Sequence, residues 1–134
     1  MCGPLHTKQA VEQFKQGIEK VKAQNGKILF GGRVLDINGG NFVEPTITQI
    51  DSKAPVVQHE IFVPILHTFK FKTLEEAISI NNSVKQGLSS SLFTQNVSNV
   101  FKWTGANGSD CGIINVNIPT NGAEIGTSCN LQQF

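Results

Sequence analysis

The sequence predicts an α/β fold with a largely parallel sheet and flanking helices. Three observations lead to this class: segments with the 3.6-residue periodicity of helices, short apolar runs typical of strands, and turns rich in glycine and asparagine between them. Alternation of the two kinds of segment is the pattern of βαβ units. The chain has 134 residues, which suits one ordinary domain, because domains cluster at about 100 to 150 residues.

A helix is predicted from Lys8 to Asn25. Its apolar residues recur at steps of three and four and therefore share one face: Val11, Phe14, Ile18 and Val21. Thr7 is a suitable N-cap, and Gly26 is a suitable C-terminal stop. The helix is expected to be amphipathic, with one buried stripe.

Extended segments and turns are predicted next. Lys27–Phe30 is a short strand that ends at Gly31-Gly32, and the turn signal Asn38-Gly39-Gly40 precedes a longer run, Phe42–Ile50. Pro45 interrupts that run. Because proline cannot donate to a β-ladder, we expect an edge position or an irregular extended segment there.

The second half of the chain continues the alternation. Ala54-Pro55 opens a short element, and Thr73 with Glu76 three residues later is the capping box of a helix that reaches Asn81-Asn82. The other predicted elements are a strand Ile65–Phe71, a strand Ser89–Thr94, a helix Val97–Thr104, a loop Gly105–Gly108 and a strand Cys111–Asn117.

Composition argues against several functional classes. Lys and Arg number 11 against 10 Asp and Glu, and the formal net charge of +1 provides no large positive field for nucleic acid or anionic lipid. No apolar stretch approaches the roughly 20 residues that span a bilayer, and Met1–Lys8 has no signal-peptide pattern. We therefore expect no nucleic acid and no membrane as partner, and a cytoplasmic or mitochondrial location.

The thiols and imidazoles predict neither a metal site nor a nucleophile. The 3 cysteines form no Cys-x-x-Cys pair, and no histidine lies at ligand spacing from them. Cys111 is expected to be a core thiol in an apolar strand, whereas Cys2 and Cys129 lie near the ends, where side chains are positioned least well. The histidines are scattered, and each is expected to be a surface or hydrogen-bonded residue: His6, His59 and His67.

The first candidate site combines Glu60 with Phe62. A carboxylate accepts two hydrogen bonds from a ribose diol, and an aromatic ring two positions further on can pack against a flat ring. The alternative interpretation is a surface acid beside a core aromatic, which is the commoner origin of a Glu-x-Phe sequence.

Two other segments could face an anionic ligand. Gly3-Pro4 precedes the first helix, with Lys8 and Gln9 in its opening turn, but an ordinary loop and cap explain the same residues. Within Asn115–Gly126 a strand ends in alternating amides, so that backbone N–H groups could point at a carboxylate or an oxyanion. A plain turn after a strand is the alternative there.

Six blocks of sequence, in this order, resemble the aldehyde dehydrogenase superfamily. They are Gly3-Pro4, Gly31-Gly32, Gly40–Thr46, Glu60–Pro64, Gln86–Thr94 and Gly112–Asn117. The stretch Ser109–Gly126 is similar to one branch, the antiquitin-like family 7, the α-aminoadipic semialdehyde dehydrogenases of lysine breakdown. The similarity extends from Gly3 to Gly126, so the expected fold is part of an aldehyde dehydrogenase catalytic domain.

The resemblance implies an enzyme that oxidises an aldehyde to a carboxylic acid with NAD, through a thiohemiacetal on a cysteine, hydride transfer and thioester hydrolysis. It implies that Glu60 holds the nicotinamide ribose and that Phe62 lies against the nicotinamide. It also implies that backbone N–H groups of Asn121, Gly122 and Ala123 anchor the far carboxylate of the substrate. At Asn121 the family pattern has serine, so this position departs from it.

Further departures bear on activity. In the family the nucleophile belongs to a Gly-Gln-x-Cys motif and the base to a Glu-Leu-Gly-Gly motif, and neither motif occurs in this sequence. Much of the dinucleotide-binding domain is also missing. The chain is therefore expected to be a truncated C-terminal-half fragment without catalytic residues of its own, and inactive in isolation.

The end of the chain departs from the family as well. Residues 1–126 are expected to form the partial aldehyde dehydrogenase domain, and residues 127–134 an unrelated, disordered tail. The family is homo-oligomeric, but the tail through which it oligomerises is not found here. The alternative function is a non-catalytic interaction module that docks on a full-length relative.

Overall fold

The computed structural model describes residues 2–121 of the chain. It divides into two compact units, Met1–Lys70 and Phe71–Phe134, called unit 1 and unit 2 below. Unit 1 contains helix α1 (Lys8–Ala23), strands β1 (Lys27–Phe30), β2 (Val34–Leu35), β3 (Phe42–Val43) and β4 (Thr46–Gln49), a 3-10 helix (Pro55–Gln58) and strand β5 (Ile65–Thr68). Unit 2 contains helix α2 (Leu74–Asn81), strand β6 (Ser89–Leu92), helix α3 (Val97–Thr104) and strand β7 (Ile113–Val116). The predicted α/β class is confirmed.

Helix α1 forms as its sequence predicts. The Thr7 hydroxyl caps it by accepting a hydrogen bond from the Ala10 N–H at 3.2 Å, and the predicted apolar stripe is buried. The end of the helix differs in detail, because Asn25 and not Gly26 takes the left-handed conformation, with φ of 60°. Asparagine tolerates this region through local hydrogen bonding of its short side chain.

The strands of the described residues pair in both directions, and the pairing is not largely parallel. Strands β1 and β4 pair antiparallel, as do β2 and β3, whereas β4 with β5 and β6 with β7 pair parallel. The chain passes from β1 to β4 through the β2–β3 hairpin, without a crossover helix. A parallel pair needs a crossover, which the 3-10 helix segment supplies for β4 to β5 and helix α3 supplies for β6 to β7.

The predicted run Phe42–Ile50 breaks at Pro45. The residues before it pair with β2, and those after it form β4, the central strand of the order β1-β4-β5. An irregular segment at Pro45 is therefore confirmed, but an edge position for the strand that follows is wrong. The Thr46 hydroxyl fixes this bend, since it accepts from the Gly32 N–H at 2.8 Å and donates to the Glu44 carbonyl at 2.9 Å.

The core of unit 1 lies between α1 and one face of its sheet. Its two clusters consist of Val11, Phe14, Ile18 and Val43, and of Val21, Ile50, Ala54 and Val56. On the opposite face, Phe30 pairs with Ile47, and Ile47 pairs with Leu66. Directly paired residues point to the same face, so these three side chains form an apolar row, and each is exposed.

In unit 2 the predicted Thr73 cap of α2 forms, but the carboxylate bond falls one residue before that of a capping box. The Thr73 hydroxyl accepts from the Glu76 N–H at 3.2 Å, and the Glu76 carboxylate accepts from the Lys72 N–H at 2.8 Å. Lys102 of α3 forms an ion pair with Glu75 at 2.8 Å. None of the helices in residues 2–121 is long and apolar enough to cross a membrane.

Strand β7 is shorter than predicted, and this changes the environment of Cys111. The strand begins at Ile113, so Cys111 precedes it and is half-buried, not a core thiol within the strand. Its sulfur lies 4.0 Å from the Asn81 amide nitrogen, which also donates to the Ser109 hydroxyl at 3.0 Å. A polar network therefore occupies the place where the sequence predicts apolar packing.

Candidate functional site

The segment His59–Pro64 carries the first candidate site, and both of its ends are anchored. Before it, the Val56 N–H donates to the Gln24 side-chain oxygen at 2.9 Å, and Val56 is buried in the core. After it, the Pro64 carbonyl accepts from the Thr46 N–H at 2.9 Å, where β5 begins beside β4. The residues between these two anchors are thus held against the rest of unit 1, although they belong to no helix or strand.

Gly17 allows α1 to pack closely against this segment. A Cβ atom at that position would lie 2.9 Å from Ile65 Cδ1 and 3.4 Å from Ile61 Cδ1. Both atoms are the ends of flexible side chains, so a larger residue here would require Ile65 and Ile61 to shift. The glycine therefore leaves the space that these two side chains occupy beside α1, and Ile61 is the residue between the two candidate site residues.

A cavity of about 260 Å³ lies between α1 and this segment. The helix contributes Gln13, Gln16, Gly17 and Lys20, and the other wall consists of Val56 and the four residues His59, Glu60, Ile61 and Phe62. The structure therefore brings the two predicted residues, Glu60 and Phe62, to one wall of one cavity.

Sequence reasoning missed the helical wall of the cavity. It pointed to Lys8 and Gln9 in the first turn of α1, whereas the lining residues lie further along, at Gln13, Gln16 and Lys20. These three are spaced three and four apart and thus form a polar stripe beside the buried one. That spacing is a signal in the sequence, although a solvated helix face has the same pattern.

The side chains of Glu60 and Phe62 are both available to a ligand. Glu60 is exposed, and its carboxylate has no hydrogen bond or ion pair within residues 2–121. Phe62 is 78% exposed and adopts a φ of 57°, the left-handed region that is rare for a bulky residue. The alternative of a core aromatic beside a surface acid is therefore wrong, because Phe62 lies outside the core.

Across the cavity, Lys20 is a cation without an ion-pair partner in the described part of the chain. With the amides of Gln13 and Gln16 it supplies hydrogen-bond donors, whereas Glu60 supplies only acceptors. The cavity can therefore bind a ligand that has hydroxyl donors at one end and acceptor or anionic groups at the other. No cluster of three metal-binding side chains occurs in residues 2–121.

The second candidate site is described only in part. Asn121 is exposed, while Gly122 and Ala123 lie outside the described residues, as do Cys129 and residues 127–134. The approach to Asn121 is fixed by the Asn117 side chain, which exchanges two hydrogen bonds with the backbone of Thr94, at 2.8 Å and 3.0 Å. This end of unit 2 is thus held in place by side-chain amides.

Of the other polar groups, His67 of β5 has the most constrained environment among the histidines. Its Nδ1 lies 2.8 Å from the Thr48 hydroxyl, so the prediction of a hydrogen-bonded histidine is confirmed. His6 and His59 are exposed. Burial lowers the pKa of His67 below its usual 6.5.

The lowered pKa of His67 predicts a loss of stability in mild acid. The folded unit favours the neutral imidazole, so the stabilisation is complete above pH 6.5 and is lost as the pH falls through the lowered folded pKa. The effect should stay below about 1 kcal/mol, since a half-exposed group is partly screened by solvent. Urea unfolding between pH 7.5 and pH 5, compared with that of His67→Gln, measures it. If the free energy of unfolding changes with pH equally in the native chain and in His67→Gln, the lowered pKa of His67 is contradicted.

Comparison with known proteins gives the context of both sites. The aldehyde dehydrogenase family model matches residues 1–128. Aldehyde dehydrogenase family 7 member A1 of Pisum sativum is 64% identical over 126 residues, which cover 94% of this chain and 25% of that protein. Alpha-aminoadipic semialdehyde dehydrogenase of Rattus norvegicus is 58% identical over 127 residues, covering 94% and 23%.

The fold comparison agrees with the sequence comparison. The crystal structure of 1-pyrroline-5-carboxylate dehydrogenase from Thermus, with bound NAD, superposes with a TM-score of 0.86 at 26% identity, covering 94% of this chain and 24% of that one. The chain belongs to the aldehyde dehydrogenase family. Its resemblance to family 7 is confirmed, and the chain spans about a quarter of the length of the curated relatives it matches.

Proposed function

We propose that this chain supplies the nicotinamide-ribose end of the NAD site in an aldehyde dehydrogenase that oxidises α-aminoadipic semialdehyde to its acid. The observation that carries this proposal is the cavity of unit 1, where Glu60 and Phe62 lie on one wall with their side chains available. The names of the family 7 relatives support the substrate, and the NAD bound to the Thermus relative supports the cofactor.

The chemistry of Glu60 and Phe62 suits the nicotinamide half of NAD. The two oxygens of Glu60 can accept hydrogen bonds from the two hydroxyls of a ribose. The exposed face of Phe62 can pack against a nicotinamide ring by offset stacking. When bound, NAD accepts hydride from the substrate, and these two residues orient the ring that accepts it.

In unit 2, the sequence Asn121-Gly122-Ala123 is the proposed anchor for the far carboxylate of the substrate. Backbone N–H groups of Asn121, Gly122 and Ala123 would bind it, because consecutive N–H groups in a turn form an anion-binding concavity. A cytoplasmic or mitochondrial setting for this reaction is part of the proposal.

The 134 residues alone are proposed to be inactive. The sequence contains neither a Gly-Gln-x-Cys nor a Glu-Leu-Gly-Gly motif, and the thioester route requires a nucleophile and a base. Among the described cysteines, Cys2 is exposed near the chain start and Cys111 lies within the polar network of unit 2. Within residues 2–121, neither thiol forms a hydrogen bond with a histidine or a carboxylate.

Titration with NAD tests the cofactor assignment. We expect weak binding, in the millimolar range, because one ribose contact and one stacked ring offset little of the cost of association. Glu60→Gln should weaken binding by about tenfold or more, the size of one hydrogen bond to a charged group. Phe62→Ala should weaken binding about 3- to 10-fold, the size of one aromatic contact. Changes in NMR amide shifts of unit 1 would measure the affinities.

Two matched variants serve as controls for the titration. Glu12→Gln changes an exposed acid of α1, and Phe30→Ala removes an exposed ring of β1; neither residue lines the cavity. Unchanged NAD affinity in Glu60→Gln would rule out the ribose contact. Formation of NADH from an added aldehyde by the purified chain would overturn the proposal of inactivity.

A second candidate function is that of an interaction module that docks on a full-length relative. The exposed apolar row of Phe30, Ile47 and Leu66 favours it, because sheets with parallel strands in α/β proteins are usually covered on both faces. Co-expression with a full-length family 7 relative separates the two functions. A chain that never co-purifies with the relative argues against the module.

A further inference from the structure

Lys20 is a cation of the unit 1 cavity that the proposed ribose and ring contacts do not use. It lies on the helical wall, whereas Glu60 and Phe62 lie on the opposite wall. The Lys20 ammonium and the Glu60 carboxylate form no ion pair with each other or with another described residue. The cavity therefore holds two opposite charges that do not neutralise one another.

The sequence of α1 explains why Lys20 stays unpaired. Lys15 and Lys22 each have a glutamate three residues before them, and both ion pairs form, at 2.7 Å and 2.9 Å. Lys20 has Gly17 and Gln16 at the positions three and four residues before it, and neither position three or four residues after it is acidic. Because helical side chains meet at these spacings, no carboxylate of α1 neutralises Lys20.

The geometry of α1 directs Lys20 to the cavity. In a helix, a long side chain leans towards the N-terminus, over the residues three and four positions earlier. For Lys20 these residues are Gly17 and Gln16, and all three line the cavity. The side chain of Lys20 is therefore directed along the cavity wall, and its ammonium is available to a ligand in the cavity.

The size of the cavity decides which part of NAD it can hold. Its volume of about 260 Å³ is below the roughly 300–1,000 Å³ of pockets that bury drug-sized ligands. It therefore accommodates one half of a dinucleotide and not both. In the nicotinamide half, the diol and the phosphate lie on opposite sides of the ribose. A ribose whose diol faces Glu60 thus directs its phosphate to the wall that carries Lys20.

We propose that Lys20 binds the phosphate attached to the nicotinamide ribose, so that the cavity selects a nicotinamide nucleotide over the riboside. The proposal rests on the proposed function of Glu60 and Phe62, and it adds the anionic group of the ligand. A lysine binds phosphate as a point charge through its ammonium N–H donors. The amides of Gln13 and Gln16, on the same wall, supply further donors for the remaining phosphate oxygens.

The test compares nicotinamide riboside, nicotinamide mononucleotide and NAD as ligands of the full 134-residue chain. Affinities are measured from NMR amide shifts of unit 1 at about pH 8, where imidazoles are largely neutral. Lys20→Gln removes the charge, and Lys20→Arg keeps it. Lys22→Gln is the matched control, because it removes a charge of the same helix that does not line the cavity. Both lysines are exposed, so the fold should tolerate all three substitutions.

In the native chain, the mononucleotide is expected to bind about threefold more tightly than the riboside, the size of one solvent-exposed ion pair. Lys20→Gln should remove this preference and weaken NAD binding about threefold, with the affinity for the riboside unchanged. Lys20→Arg and Lys22→Gln should keep the native preference. Salt at about 1 M should reduce the preference in the native chain, because it screens the two charges.

The two ways of failing are distinct. If the ligands shift the amides around Glu60 and Phe62, but Lys20→Gln keeps the native preference for the mononucleotide, Lys20 does not bind the phosphate and the ribose and ring contacts stand. A loss of affinity for the mononucleotide without a loss for NAD would overturn the assignment in the dinucleotide. If none of the three ligands shifts these amides in the native chain, the proposed function fails, and the phosphate contact fails with it.

Discussion

Replacing Phe14 with alanine is expected to remove a large part of the stability of unit 1. Phe14 has 0% exposure and is the largest fully buried side chain in the described chain. It packs with Val11, Ile18 and Val43 in the cluster that joins α1 to the sheet. Removal of a buried phenylalanine costs about 3–5 kcal/mol, through lost transfer energy and the cavity left behind. A domain is stable by only about 5–15 kcal/mol in total.

The measurement is urea unfolding followed by far-UV circular dichroism. Phe30→Ala is the matched control, because it deletes the same atoms from a ring that is 62% exposed. Its free energy of unfolding should change by less than about 1 kcal/mol. Equal effects of the two substitutions would show that α1 does not pack on the sheet as described.

Gly31→Ala is expected to have the second largest effect, a loss of about 2–4 kcal/mol in the free energy of unfolding of unit 1. The residue has a φ of 76°, and a left-handed conformation costs an L-residue roughly 1–2 kcal/mol. An added Cβ would also collide with the Pro45 carbonyl oxygen and lie 2.9 Å from the Thr46 hydroxyl oxygen. Relief of that collision would disturb the bend between β3 and β4.

Gly39→Ala separates the two contributions. Gly39 has a similar φ of 68°, but nothing lies within 4 Å of an added Cβ. It should therefore cost only the conformational part, about 1–2 kcal/mol. Urea midpoints of both variants measure the difference. If Gly31→Ala costs no more than Gly39→Ala, the close approach of Pro45 to Gly31 is not present in solution.

The helices and their caps could be predicted from the sequence because their signals are local. Thr7 and Thr73 each cap the helix assigned to them, and the buried stripe of α1 follows from its periodicity. Sheet order depends on which strands meet, and this is decided by long-range packing. The sequence around Pro45 shows that the run is interrupted, but not that β4 inserts between β1 and β5.

Only those residues of the candidate site that residue type and family resemblance identify could be predicted from the sequence. Glu60 and Phe62 stand out as an acid and an aromatic two positions apart, and the structure places them on one cavity wall. Gln13 and Lys20 could not be assigned to this cavity from the sequence. Their contribution depends on the packing of α1 against Ile61 beside Gly17, which is a long-range contact.

The left-handed backbone of Phe62 has a consequence for how the cavity is used. Stability of the fold alone would favour glycine at this position, because glycine adopts a φ of 57° without strain. The ring gains little from packing, since most of it is exposed. Backbone strain at this position lowers the stability of the folded chain whether or not a ligand is bound. In the proposed NAD site, a planar ligand would therefore meet a ring that the fold already holds in place, and this preorganisation would favour binding.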